Sequence, residues 1–85
     1  MYNKYYEFEV IKSINFDKIF IDVIGFENNY NDVSVPIVKY LQEKNYIVIH
    51  VSLDIFMIHK DSPFYKKINM KNTFYYLFLA NFIHL

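Results

Sequence analysis

The chain between Lys18 and Asp54 switches twice between two hydrophobic spacings. In Tyr46 to Asp54, Ile47, Ile49, Val51 and Leu53 fall on one face, while Tyr46, His50, Ser52 and Asp54 share the other with Val48. That period of two predicts a half-buried strand. The apolar run from Lys18 to Phe26 predicts an earlier strand, ended by the polar cluster Glu27 to Asn31. Between the two strands the spacing becomes helical: Ile37, Val38 and Leu41 lie on one side, and Lys39, Gln42 and Glu43 point away. Asp32 or Ser34 is the expected cap, with Pro36 in the first turn, where a missing amide hydrogen costs nothing. Asn45 stands where asparagine commonly closes a helix, because it tolerates the left-handed conformation.

After a reversal at Asp54, Ile55 to His59 predicts a third strand pairing back on the second. Lys60 to Pro63 then breaks the sheet, and Ser62-Pro63 is a helix-start signature. A short helix is expected over Phe64 to Asn72, since Phe64 and Ile68 are four apart and Lys67 and Lys71 fall on another side. The aromatic-rich stretch Thr73 to His84 reads as a last strand, buried on both faces or covered by a partner. Residues 1–17 form an N-terminal arm or extra strand, because Tyr5 to Ile11 alternates, and residues 18–85 form the domain. The order strand-helix-strand-strand-helix-strand predicts an α+β, ferredoxin-like fold: an antiparallel four-stranded sheet with two helices on one face. Many functions use that architecture, so it decides none of them.

Composition narrows the chemistry. Eighty-five residues make one small domain with a limited core, which a partner can complete. With no cysteine there are no disulfides or thiolate metal sites, and His50, His59 and His84 show no ligand spacing. No cofactor and no metal is therefore expected, and His50 is expected to hydrogen-bond or meet solvent. Nine lysines balance nine acids and arginine is absent. Neutrality weighs against a free-standing nucleic-acid binder, because phosphate contacts need clustered positive charge. A protein held by neighbours in a larger particle escapes that argument. The apolar run from Phe74 to Leu85 is shorter than the about 20 residues a membrane-spanning helix needs, so no membrane role is expected.

Gly25-Phe26-Glu27, then Asp32 leading to Ile37-Val38, resembles the S-ten family of small-subunit ribosomal proteins, whose members open with a strand ending in a small residue, phenylalanine and an acid, followed by a helix with an Ile-Val pair. Phe56 with Ile58, then Ser62-Pro63, is similar to the family's third strand and the Ser-Pro after it; Lys67 and Lys71 stand where it places basic residues. Thr73-Phe74-Tyr75, running to Phe82, Ile83 and Leu85, has the spacing of its terminal strand. The likeness spans Lys18 to Leu85 by order and spacing. It departs between Val48 and Phe56, where the family's long basic hairpin is several residues longer, and at Leu77 and Leu79, which are apolar where the family tends to be polar. The resemblance implies a structural constituent of the small ribosomal subunit, in its head region, touching ribosomal RNA and neighbouring ribosomal proteins in translation, with no catalysis and no small-molecule substrate. The residue usage resembles that of a strongly AT-rich genome, which points to a mitochondrial ribosome, the alternative being cytoplasmic.

On that reading Lys60, Lys66, Lys67 and Lys71 hold phosphates and Tyr65 stacks a base, against the plainer reading of a solvated helix face. Phe74, Tyr76, Phe78 and Phe82 are the candidate protein contacts. A second class is a protein–protein interaction module or accessory subunit pairing through the aromatic strand, since an exposed apolar edge invites a cover. A third is a degenerate haloacid-dehalogenase-like fragment: Asp22 resembles that family's nucleophile and Ser52 its phosphate-binding hydroxyl, but Ile24 occupies the place of the acid-base aspartate.

Overall fold

A computed structural model of the chain describes residues 5–85 apart from 69, 70, 73, 74, 77 and 78. Helix α1 (Tyr6–Ser13) leads through a turn at 15–18 into strand β1 (Val23–Glu27); helix α2 (Asn31–Glu43) follows, then strands β2 (Tyr46–Val51) and β3 (Asp54–His59), a single 3-10 turn at Tyr65–Lys67, and strand β4 (Phe82–His84). The fold is α+β, and the four strands form one mixed sheet in the order β2-β3-β1-β4. β3 pairs antiparallel with both β2 and β1. β4 runs parallel to β1, with Val23 opposite Phe82 and Gly25 opposite His84, which corrects the expected all-antiparallel sheet.

The parallel edge follows from how β4 begins. The amides of Asp22 and Val23 both donate to the carbonyl of Asn81, so β1 and β4 start side by side and continue in one direction. β1 is central and buried from Val23 to Phe26. A Cβ on Gly25 would stand 2.7 and 2.8 Å from atoms of the Phe56 ring and 2.9 Å from the His84 ring, so glycine is what lets these rings close over the strand.

Both sheet faces are covered. On one face Ile24, Phe26, Ile55 and Met57 pack against Ile37 and Leu41 of α2 and Ile11 of α1. Burying a side chain such as Phe26 or Leu41 contributes roughly 1.5–3 kcal/mol. On the other, Val23, Phe56 and Ile58 are covered by Phe64, Tyr65, Ile68, Ala80 and Phe82, so the segment after β3 does the work expected of a second helix.

The α2 stripe is as predicted, with Ile37 and Leu41 buried, Val38 half-buried, and Asn45 closing the element at φ 71°. Its start is not. The helix begins at Asn31 after an extended Tyr30 with no side-chain cap, so Pro36 lies inside it and Ser34 is buried. The β2 alternation is also interrupted: the pairing shifts between Val48 and His50, a bulge that leaves Ile49 as an extra residue. Tyr46 and Val48 therefore face the helices, Ile49 reaches the other core, and Val51 and Leu53, expected in the core, are 62% and 83% exposed at the hairpin tip.

Three further expectations are corrected. The N-terminal stretch is helical because Phe8 and Ile11, three apart, share the face turned to α2: Phe8 meets Tyr40 edge-on at 5.8 Å and Ile11 is fully buried, overriding strand propensity. The helix expected over Phe64 to Asn72 is only the turn Tyr65–Lys67, because Ile68 is extended (ψ 132°) where it joins the second core; residues 69 and 70 lie outside the described residues. The last strand is confined to Phe82–His84. Tyr75, Tyr76 and Leu79 are helical, the Tyr76 amide donating to the Asn72 carbonyl and the Ala80 amide to the Tyr76 carbonyl.

Candidate nucleic-acid interface

The start of β1 is held by a buried polar node. Ser62 donates its hydroxyl to Asp22 Oδ1 at 2.5 Å, and the Asn81 amide donates to Asp22 Oδ2 at 3.0 Å. Ser62 Oγ in turn accepts from the Phe64 amide at 3.2 Å. The Asp22 carbonyl accepts from the His59 amide. Tyr46 donates its hydroxyl to the Ile21 carbonyl at 2.6 Å, and the Asn81 side-chain amide donates to the Phe20 carbonyl at 2.7 Å. Burial, with the Asp22 carboxylate nearby, pushes the Tyr46 hydroxyl up to about 12, so it stays a donor. Among the described residues no buried side-chain polar atom lacks a partner.

The node turns the loops at this end of the sheet outward in a fixed arrangement. Phe20 is clamped by its carbonyl, yet the residue is 47% exposed and its ring meets His59 edge-on at 5.0 Å. His59 meets Tyr46 at 5.0 Å, and Tyr46 meets Phe16 at 5.7 Å. His59 Nδ1 accepts from the Asp61 amide at 3.0 Å, which leaves the ring proton on Nε2. These four rings, with Ile19, Asp17, Glu43, Lys44 and Asn45, line a cavity of about 210 Å³.

Charged side chains gather at both ends of the strands. Lys18, Lys44 and Lys60 are exposed in the loops at the cavity end, and Lys66, Lys67 and Lys71 are exposed in the segment that leaves that end to cross the second face. At the opposite end Glu7 accepts from the Glu27 amide at 3.2 Å, near Asp54, whose Oδ1 lies 3.4 Å from His84 Nε2. Burial raises the Glu7 carboxyl; the Glu27 amide lowers it, the Glu27 charge raises it, His84 lowers it and Asp54 raises it. The cavity end also carries exposed Asp17, Glu43 and Asp61, which match its lysines, whereas Lys66, Lys67 and Lys71 follow in residues 62–85, where the sequence has no acid.

Lys60, Lys66, Lys67 and Lys71 are all exposed, Lys60 in the turn after β3 and the other three in the segment that follows. Tyr65 is partly buried against Val23, Phe56 and Ile58, so its ring packs in the second core. Of the candidate protein contacts, Tyr76 packs on Phe64 at 5.9 Å and Phe82 on Phe56 at 5.9 Å; Phe74 and Phe78 lie outside the described residues. Asp22 and Ser52 are at opposite ends of β1 and do not meet, since Ser52 sits in the β2–β3 turn where its carbonyl accepts from Asn28. His50 Nε2 and Ser52 Oγ are 3.0 Å apart. Among the described residues no group of three His, Asp or Glu could hold a metal ion, and no helix is long and apolar enough to cross a membrane.

Sequence reasoning missed Phe16, Phe20 and His59 as a set. The available signal was Phe20 beside the polar Asn15 to Lys18 turn, where an exposed ring is not required by packing. Compared with known proteins, the chain matches no family model, no curated protein and no solved structure.

Proposed function

We propose that this protein is an architectural constituent of the small ribosomal subunit, related to the S-ten family, whose lysine-bearing end rests on ribosomal RNA while its remaining surface meets neighbouring ribosomal proteins. The observation that carries this reading is the charge of the segment after β3. Residues 62–85 carry the exposed Lys66, Lys67 and Lys71 and no acid although the chain is neutral, which gives the local positive field that phosphate contacts need. The proposed role is non-enzymatic, without cofactor, and its setting is a mitochondrial ribosome. The strand order β2-β3-β1-β4 supports descent from a ferredoxin-like frame in which the second helix has shortened and the last strand has entered in the opposite direction.

The test is co-sedimentation of the tagged protein from its native cell. Migration with the small subunit, lost after ribonuclease treatment, is the expected result; a protein that stays at the top of the gradient in both conditions contradicts it. One observation favours a second reading, a protein-only interaction module: β2 is an outer strand of the sheet and ends in the exposed Val51, with exposed Leu53 in the turn after it, a template for a partner's strand. Migration in a complex unaffected by ribonuclease selects that reading.

A further inference from the structure

We propose that the cavity walled by Phe16, Phe20, Tyr46 and His59 receives one unstacked, amino-bearing nucleobase of single-stranded RNA; this rests on the RNA-contact reading above and names the part of the ligand recognised. Three observations carry it. The walls are aromatic and rigid: Tyr46 is tied to Ile21, the Phe20 backbone to Asn81, and His59 to the Asp61 amide. RNA-binding surfaces recognise splayed bases by stacking them on such rings. The size is also right, because about 210 Å³ falls below the 300–1,000 Å³ typical of sites for drug-sized ligands and suits a single ring system.

The polar lining then chooses among bases. The side chains of Asp17 and Glu43 make no hydrogen bond or ion pair with the described residues, and both line the cavity. Ionised carboxylates only accept hydrogen bonds. They favour the exocyclic amines of adenine, cytosine and guanine, as in the pairing of acidic side chains with cytosine N4. Uracil has no exocyclic amine; its single N3–H donor lies between two carbonyl oxygens that the carboxylates repel. Lys44 at the cavity, with Lys18 and Lys60 in adjoining loops, offsets Asp17, Glu43 and the neighbouring Asp61, and the lysine ammonium groups meet the phosphates on either side.

Fluorescence anisotropy of the full chain with labelled oligo(A), oligo(C) and oligo(U) of equal length tests this. Oligo(A) and oligo(C) are expected to bind about tenfold tighter than oligo(U), and Phe20→Ala is expected to remove about tenfold of that affinity, the scale of one lost base–aromatic stack. Because Phe20 is half exposed, the substitution leaves the core intact. Asp17→Asn with Glu43→Gln, both at exposed positions, is expected to bring oligo(U) level with the others. If all three oligonucleotides bind alike and Phe20→Ala changes nothing while Lys66→Ala and Lys67→Ala weaken binding, the base site is overturned and the RNA-contact reading stands. If no oligonucleotide binds, or a trimethyllysine peptide occupies the cavity in their place, both are overturned.

Discussion

The two ends of the sheet carry similar residue types and use them in opposite ways. At the β1 start, Asp22 is buried and both carboxylate oxygens are committed, to Ser62 and the Asn81 amide. At the β1 end, Glu7, Glu27 and Asp54 gather near the surface, with the His84 imidazole beside Asp54. A buried charge is tolerated only when its hydrogen bonds are complete, and then it fixes geometry. An exposed cluster is screened by water and fixes little. The first end therefore presents its rings in a fixed frame with lysines and acids side by side, and the second gathers acids around His84.

The largest expected effect breaks the buried end. Asp22→Ala strands the Ser62 hydroxyl and the Asn81 amide, and should lower unfolding free energy by about 3 kcal/mol in urea denaturation. A loss below about 0.5 kcal/mol, the level of ordinary surface changes, would show that the node is not what holds the β1 start. Tyr46→Phe should cost about 1 kcal/mol by leaving the Ile21 carbonyl without its donor. Its pH dependence follows from the raised hydroxyl. In the unfolded chain Tyr46 ionises near 10, while in the fold it holds its proton to about 12. The stabilising contribution is complete below pH 10 and is lost as pH rises towards 12. Wild type should therefore lose its advantage over Tyr46→Phe in that alkaline window, followed by circular dichroism.

The smallest effect sharpens the other end. The Glu7 carboxyl is raised in the fold, so folding favours its neutral form: the ionised group weakens the fold at neutral pH, and the penalty vanishes as pH falls below the usual 4.5. Glu7→Gln keeps an acceptor for the Glu27 amide and removes the charge. It should raise the melting temperature slightly at pH 7, by under about 0.5 kcal/mol in stability, with no gain at pH 4 or below. A loss of stability at pH 7 would mean that the carboxylate's charge helps this end.

What could be read beforehand divides along the same line between local and distant causes. The α2 stripe, the Asn45 stop and the β3 run depend on neighbours in sequence, and all three are as expected. The node joins Asp22 to Ser62 and Asn81, 40 and 59 residues away, and no local pattern announces such a meeting. Because Asn81 starts β4 beside β1, the direction of the last strand was equally hidden. Helical structure at Tyr6–Ser13 and at Tyr75, Tyr76 and Leu79 defeated a reading by strand propensity, since aromatic residues fit any surface that buries them. Of the proposed interface, the clustering of Lys66, Lys67 and Lys71 is a feature of the sequence itself, and all three are exposed. The cavity was not legible there, as its walls come from three separate segments.

The central claim is that one end of a neutral chain binds RNA, and the salt dependence of binding tests it most directly. Lys66→Ala with Lys67→Ala should be compared with Lys12→Ala with Lys39→Ala, because both pairs remove the same charge and only the first lies in the proposed interface. For single-stranded RNA each phosphate contact adds about 0.7 to the slope of log affinity against log salt. The account predicts that the first pair flattens the slope by about 1.4 and weakens binding to every sequence, while the second leaves both unchanged. Equal changes in the two pairs would mean that any lysine serves, and would contradict it.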